Sequence, residues 1–137
     1  MAISPNQQWF VSQLGQEKQV HFYRVKDAQL DFSVPVDGAP FVGKFTADNR
    51  FYFVMGAVEG GLRVWKIDVP ARKVIAQSTE SLGSGNGGLG INQITGNVYI
   101  SALVANKVSV LDPQTLKLVK QIDTEPTPDG IYFATIR

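Results

Sequence analysis

An all-β fold built from three repeats of a four-stranded unit is predicted by three observations. The same order of turn and strand motifs recurs every 42 to 47 residues, strand-forming side chains alternate with polar ones, and no stretch keeps helical spacing. Repeats of this length, made of β-strands, are the signature of β-propeller blades. The predicted architecture is therefore three blade-equivalents of antiparallel strands, a half-propeller or propeller fragment.

The first half of each unit pairs a polar turn with an aromatic strand. Ser4-Pro5-Asn6-Gln7-Gln8-Trp9-Phe10-Val11 aligns with Thr46 to Phe53 and with Gln93 to Ile100. With Phe10, Tyr52 and Tyr99 taken as equivalent, the spacings are 42 and 47 residues. In the second half, Gly61-Leu62-Arg63-Val64-Trp65-Lys66-Ile67-Asp68 aligns with Ala105 to Asp112 at an offset of 44, and Val20 to Lys26 is the first copy. A short turn follows, then Lys73 to Gln77 in one copy and Lys117 to Gln121 in the next. Pro70 and Pro113 stand in those turns, where a fixed φ and a missing amide hydrogen are tolerated.

Innermost strands are expected near Val42 to Thr46 and Leu89 to Asn92. Each is entered by a loop rich in glycine and proline: Asp37 to Pro40, Gly83 to Gly88, and Glu125 to Gly130. The blades are expected at approximately residues 1–40, 41–86 and 87–130, with a further innermost strand at 131–136, all within one unit of 137 residues.

Composition narrows the function classes. Thirteen basic and twelve acidic residues are scattered, so no electrostatic footprint for nucleic acid stands out. The longest apolar run, Phe51 to Val58, is far too short to span a membrane as a helix. With no cysteine there is no disulfide framework and no thiolate ligand. His21 is the only histidine, so a metal site or a Ser-His-Asp arrangement would have to be built on it alone, and it reads as a strand residue. The spacing Gly83, Gly85, Gly88 (and again Gly85, Gly87, Gly90) matches a dinucleotide fingerprint. That fingerprint must open a helix, and none is expected after Gly90. No cofactor is expected.

Trp9, Trp65, Tyr52, Tyr99 and Phe53 read as filling between blades rather than as a stacking platform, and Asp68 and Asp112 as turn caps. What remains for ligand binding is the funnel formed by loops at the innermost strands. Its expected polar members are Asp37, Lys44, Ser84, Asn86, Asn92 and Asp129.

The residues of the third unit carry a family resemblance: Gly96-Asn97-Val98-Tyr99-Ile100-Ser101, Asn106 to Asp112, Lys117 to Ile122 and Thr127-Pro128-Asp129-Gly130-Ile131. This resembles the YVTN-type β-propeller repeat, although Tyr99-Ile100-Ser101-Ala102 keeps only the tyrosine and the pattern of the tetrapeptide. The resemblance implies a scaffold more than a reaction, and a periplasmic or secreted setting. The expected function is a non-catalytic binding or interaction scaffold. The alternatives are an enzyme propeller of lactonase-like or dehydrogenase-associated kind, since Phe22 to Val25 loosely resembles lactonase strands, and a purely structural building block.

The ends extend the expectation. Ala2-Ile3 supplies almost none of an innermost strand, whereas Ile131 to Ile136 reads as one. Three blades are too few to close a ring, which typically takes about four to eight. Two partners are therefore expected as alternatives: a second copy that exchanges terminal strands to make six blades, or the remainder of a longer propeller.

Overall fold

The computed structural model describes residues 1–134. Twelve strands form three separate four-stranded antiparallel sheets, and no helix occurs among the described residues. The first sheet holds β1 (Ala2–Ile3), β2 (Trp9–Leu14), β3 (Gln19–Arg24) and β4 (Leu30–Pro35). The second holds β5 (Ala39–Phe45), β6 (Phe51–Val58), β7 (Gly61–Asp68) and β8 (Lys73–Gln77). The third holds β9 (Leu89–Ile91), β10 (Val98–Ala102), β11 (Lys107–Leu111) and β12 (Leu118–Asp123). Within each sheet the strands follow chain order, so every connection is a hairpin and the blade-like unit is a simple meander.

The sheets stack face to face through two apolar clusters. One joins the first and second sheets around Val11, Phe22, Val34, Tyr52, Val54, Trp65 and Ile67; the other joins the second and third around Phe53, Met55, Val64, Leu89, Val98, Ile100 and Leu111. Alternate residues of β6 serve the two clusters, Tyr52 and Val54 on one side and Phe53 and Met55 on the other. A strand covered on both faces has no reason to be polar at alternate positions. That is why Phe51 to Val58 is the longest apolar run in the chain.

Three expectations are corrected. The first concerns the register of the repeats. Equivalent amide-to-carbonyl bonds close the first hairpin turn of each sheet, Ser4 to Trp9, Thr46 to Phe51 and Asn92 to Asn97. Equivalent cross-strand pairs are Phe10 with Tyr23, Tyr52 with Ile67 and Val98 with Leu111. The third counterpart of Phe10 and Tyr52 is thus Val98, not Tyr99. Because strand side chains alternate, this one-residue difference puts Tyr99 on the opposite face. Tyr52 is buried against the first sheet, whereas half-buried Tyr99 meets Phe133 on the outward side of the third. The offset of 44 between Asp68 and Asp112 agrees with the observed pairing.

Second, the boundary expected at 40/41 falls inside β5. Ala39 and Pro40 open that strand rather than end a loop, and the register shifts between Pro40 and Val42. A bulge is one of the few places where a strand accepts proline. Third, the innermost strand expected at 131–136 is not formed by Ile131 to Ala134, which have no strand assignment; residues 135 and 136 lie outside the described residues. A strand is defined by its ladder, and Ile131 to Ala134 make none among the described residues.

The segment nevertheless runs along the third sheet's innermost strand. A Cβ on Gly88 would stand 2.6 Å from the Ile131 amide nitrogen, and one on Gly90 would stand 2.6 Å from Ile131 Cγ2 and 3.0 Å from the Phe133 ring. Glycine at these two positions is what admits the segment so close. Phe133 packs edge-on to Tyr99, with ring centroids 4.9 Å apart.

Candidate functional site

The six polar residues expected at the funnel do not form one cluster. Asp37, Ser84, Asn86 and Asp129 precede innermost positions, at the end of the sheets where β5 and β9 begin. Asn92 follows β9, at the opposite end, and Lys44 stands next to the last residue of β5. A meander reverses direction at every hairpin, so residues before and after a strand are separated by its whole length.

Several of them are also committed to the fold. Asp37 accepts hydrogen bonds from Trp65 Nε1 (2.7 Å) and from Arg63, fixing the loop before β5 to β7. The Asn92 side-chain oxygen accepts the amides of Ile94 and Thr95 at 2.9 and 3.1 Å, which shapes its own turn. Asp129 accepts the amide of Gly130 at 2.8 Å. The Ser84 carbonyl accepts the Val104 amide at 3.1 Å, and the side chains of Ser84 and Asn86 are exposed. Lys44 is exposed as well, its ammonium 5.9 Å from the centre of the Tyr132 ring. With Phe45, Gly90, Ile91, Gln93, Tyr132 and Phe133 it lines a pocket of about 130 Å³. Of the expected residues, Lys44 lines this pocket and Asn92 a separate groove between the second and third sheets.

A residue that sequence reasoning passed over is Lys66, on β7. It is only 7% exposed and lines a groove of about 410 Å³ between the second and third sheets, with Phe51, Phe53, Asn92 and Pro113. Its ammonium lies 4.0 Å from the centre of the Phe51 ring and 5.6 Å from that of Phe53, and it donates to the Pro113 carbonyl at 2.9 Å. Burial pushes its pKa down, opposed by the negative charge of Asp112. The signal for it was available in the repeats: pairing in the sheets makes Phe22 and Val110 its counterparts, both apolar and buried. A lysine at a core position ties one sheet to the next through a carbonyl and an aromatic face.

At the outer part of the first sheet, Trp9 Nε1 donates to Asp31 at 3.1 Å, and Arg24 and Arg72 each approach the same carboxylate at 3.6 Å. Arg72 comes from beyond β7, so this group also bridges two sheets. Arg24 is held further by Asp27, whose pKa its hydrogen bond lowers. His21 lies half-buried on β3 with Nδ1 3.3 Å from the Tyr23 hydroxyl. No group of three or more histidine or acidic side chains that could hold a metal occurs among the described residues. The segment matching the dinucleotide spacing leads into β9, not a helix, so it offers no helix N-terminus to a phosphate.

No protein-family model matches the chain, and no curated protein matches it. Among solved structures it is similar to hydrazine synthase of Kuenenia stuttgartiensis, with a TM-score of 0.82 over 94% of this chain at 19% sequence identity. The chain spans 36% of the length of that one. A likeness at this identity concerns the fold alone, and it places the three blade-like sheets in an arrangement that a larger protein also uses.

Proposed function

We propose that this chain is a β-propeller scaffold of YVTN type, non-catalytic, whose role is to bind and organise other protein surface. Its nearest partner is more propeller, supplied by a second copy or by the remainder of a longer chain. The observation that carries this reading is the chemistry of the two outward sheet faces. On the first sheet, Phe10 and Tyr23 stack at 4.9 Å with their planes 7° apart on the side away from the second sheet, and both stay half-exposed. On the third, Ile131 and Phe133, in a segment outside any ladder, pass close over Gly88 and Gly90, and Phe133 packs on Tyr99. Apolar faces of this kind suit association. The polar side chains, by contrast, are largely spent on turns and on joining sheets.

The test has two parts. Light scattering should give a mass above that of one chain, or the chain should gain stability when joined to adjoining propeller sequence. A screen of hydrolytic and redox substrates should give no turnover. Turnover abolished by Lys44→Ala or Asp37→Ala would overturn the reading. One observation favours an enzyme with a funnel ligand as the second reading, namely the pocket at Lys44 and Tyr132. A metal or cofactor that copurifies with the chain, and is lost in Lys44→Ala, would establish it.

A further inference from the structure

We infer that the partner is a second copy of this chain, docked so that the C-terminal segment of one copy becomes the innermost strand of the other's first sheet. This rests on the scaffold reading and deepens it.

The hairpin turns beginning at Ser4, Thr46 and Asn92 are equivalent, so Ile3, Phe45 and Ile91 hold the same position, as do Ala2, Lys44 and Gly90. Gly90 faces Ile131 and Phe133, whereas Leu89 and Ile91 face the second sheet. In the same way Gly43 and Phe45 face the first sheet, each packing on Tyr52. Ile131 and Phe133, turned toward the third sheet, therefore stand where Gly43 and Phe45 stand in the second sheet and Leu89 and Ile91 in the third. Met1 and Ile3 hold those positions in the first. The chain thus carries an innermost-strand sequence at both ends for one kind of slot.

The two occupants are unequally held. β1 makes only two residue pairs with β2, Ala2 with Val11 and Ile3 with Phe10, and leaves Ser12, Gln13 and Leu14 unpaired on that edge. Ile3 is 65% exposed. The C-terminal segment, by contrast, fits over two glycines and packs Phe133 on Tyr99. Where the third sheet of one copy meets the first sheet of another, the C-terminal segment keeps the slot and Met1 to Ile3 yields it.

The register follows from β5 and β6, where Phe45 pairs with Tyr52, Lys44 with Phe53 and Gly43 with Val54. Transferred to the new contact, Phe133 pairs with Phe10 of the second copy, Tyr132 with its Val11 and Ile131 with its Ser12. The face that docks continues the internal interfaces. Phe10 occupies the place of Tyr52, which packs on Phe22, and Tyr23 the place of buried Ile67. Two chains joined this way bring six blades together, within the usual range.

The natural chain has no cysteine, which makes the register directly readable. The variant carrying Ser12→Cys and Ile131→Cys should form a covalent dimer on mild oxidation, since paired strand residues lie within disulfide reach. The variant carrying Gln13→Cys and Ile131→Cys, whose side chains point to opposite faces, should not. Mixing singly substituted Ser12→Cys and Ile131→Cys chains should give a heterodimer linked once. Light scattering of the unmodified chain should give twice the single-chain mass. A folded chain that stays monomeric up to millimolar concentration overturns the second copy as partner, while the scaffold reading survives in a longer propeller. A dimer without the Ser12–Ile131 cross-link overturns the docking mode. Turnover in the substrate screen, in contrast, would remove the scaffold reading itself.

Discussion

At the scale of single residues, the side chains that look most chemical are the ones that hold sheets and turns together. Asp112 accepts the amides of Gln114 and Thr115 at 3.0 and 2.7 Å, and these bonds lower its pKa, with the Thr115 amide contributing most. A carboxylate held below its unfolded pKa contributes stability that is present above that unfolded value and fades as pH falls through the folded one. The denaturation midpoint of Asp112→Ala should therefore lie below that of the unmodified chain at pH 7, and the two should converge below about pH 4. A gap that persists unchanged in acid would show that the carboxylate charge is not what matters.

Lys66 gives a slope of the same sign for a different reason, since here the fold disfavours the charged form. Its ordinary value is 10.5 and burial lowers it, so the folded state gives up the proton first. Stability should rise as pH climbs from the lowered value toward 10.5, and Lys66→Met should not show that rise. Lys66→Ala should cost about 1–3 kcal/mol at neutral pH, because the Pro113 carbonyl loses its donor and the Phe51 ring its cover. Urea titrations across pH would check both.

At the scale of elements, hairpin turns do most of the specifying. Non-glycine residues with left-handed backbones recur in them: Gln7 and Asn49 in the first turn of two sheets, Ala28, Arg72 and Leu116 in the last turn of all three. The conformation recurs although the residue type does not, since the tight connection demands it at a cost of about 1–2 kcal/mol per non-glycine residue. Ala28 is exposed with φ of 55°, so Ala28→Gly should stabilise the chain by up to about 1 kcal/mol in urea. Gly56 is the reverse case. A Cβ there would collide with the backbone of Ala39 and Pro40 at the bulge of β5, the latter's Cα only 2.7 Å away. Gly56→Ala should cost about 1–3 kcal/mol, read by the same titration.

Among these elements, the order of strands and turns was legible in the sequence because each turn carries its own chemistry. Pro70, Pro113, Asp68 and Asp112 stand in the turns that end β7 and β11. The register of the third repeat was not. Tyr99 resembles Tyr52 as a residue, and only the hydrogen-bonded ladder shows that Val98 takes the equivalent place.

At the scale of the whole molecule, stability is expected to be greatest in the middle. The second sheet is covered on both faces, with Val54, Met55, Val64 and Trp65 at most 1% exposed, whereas β12 is exposed along nearly all its length and β1 makes two pairs. Amide hydrogen exchange should be slowest in β6 and β7 and fastest in β1 and β12. Docking by a second copy should slow exchange at Gln13 in particular, because its amide points to the edge that gains a strand neighbour, whereas those of Ser12 and Leu14 already point to β3.

All-β class, three repeats and the four strands of each were set by local chemistry: alternation, turn residues and a period of a little over forty residues act over distances of a few positions along the chain. Which face each side chain joins, and whether polar loop residues meet, depends on register and on the direction of each strand, which are settled only when sheets stack. Thus Lys66 became a clamp between sheets and the six funnel candidates separated to the two ends of the strands. The two end segments became, in the folded chain, a strand of two pairs on the first sheet and a segment without a ladder over Gly88 and Gly90 of the third.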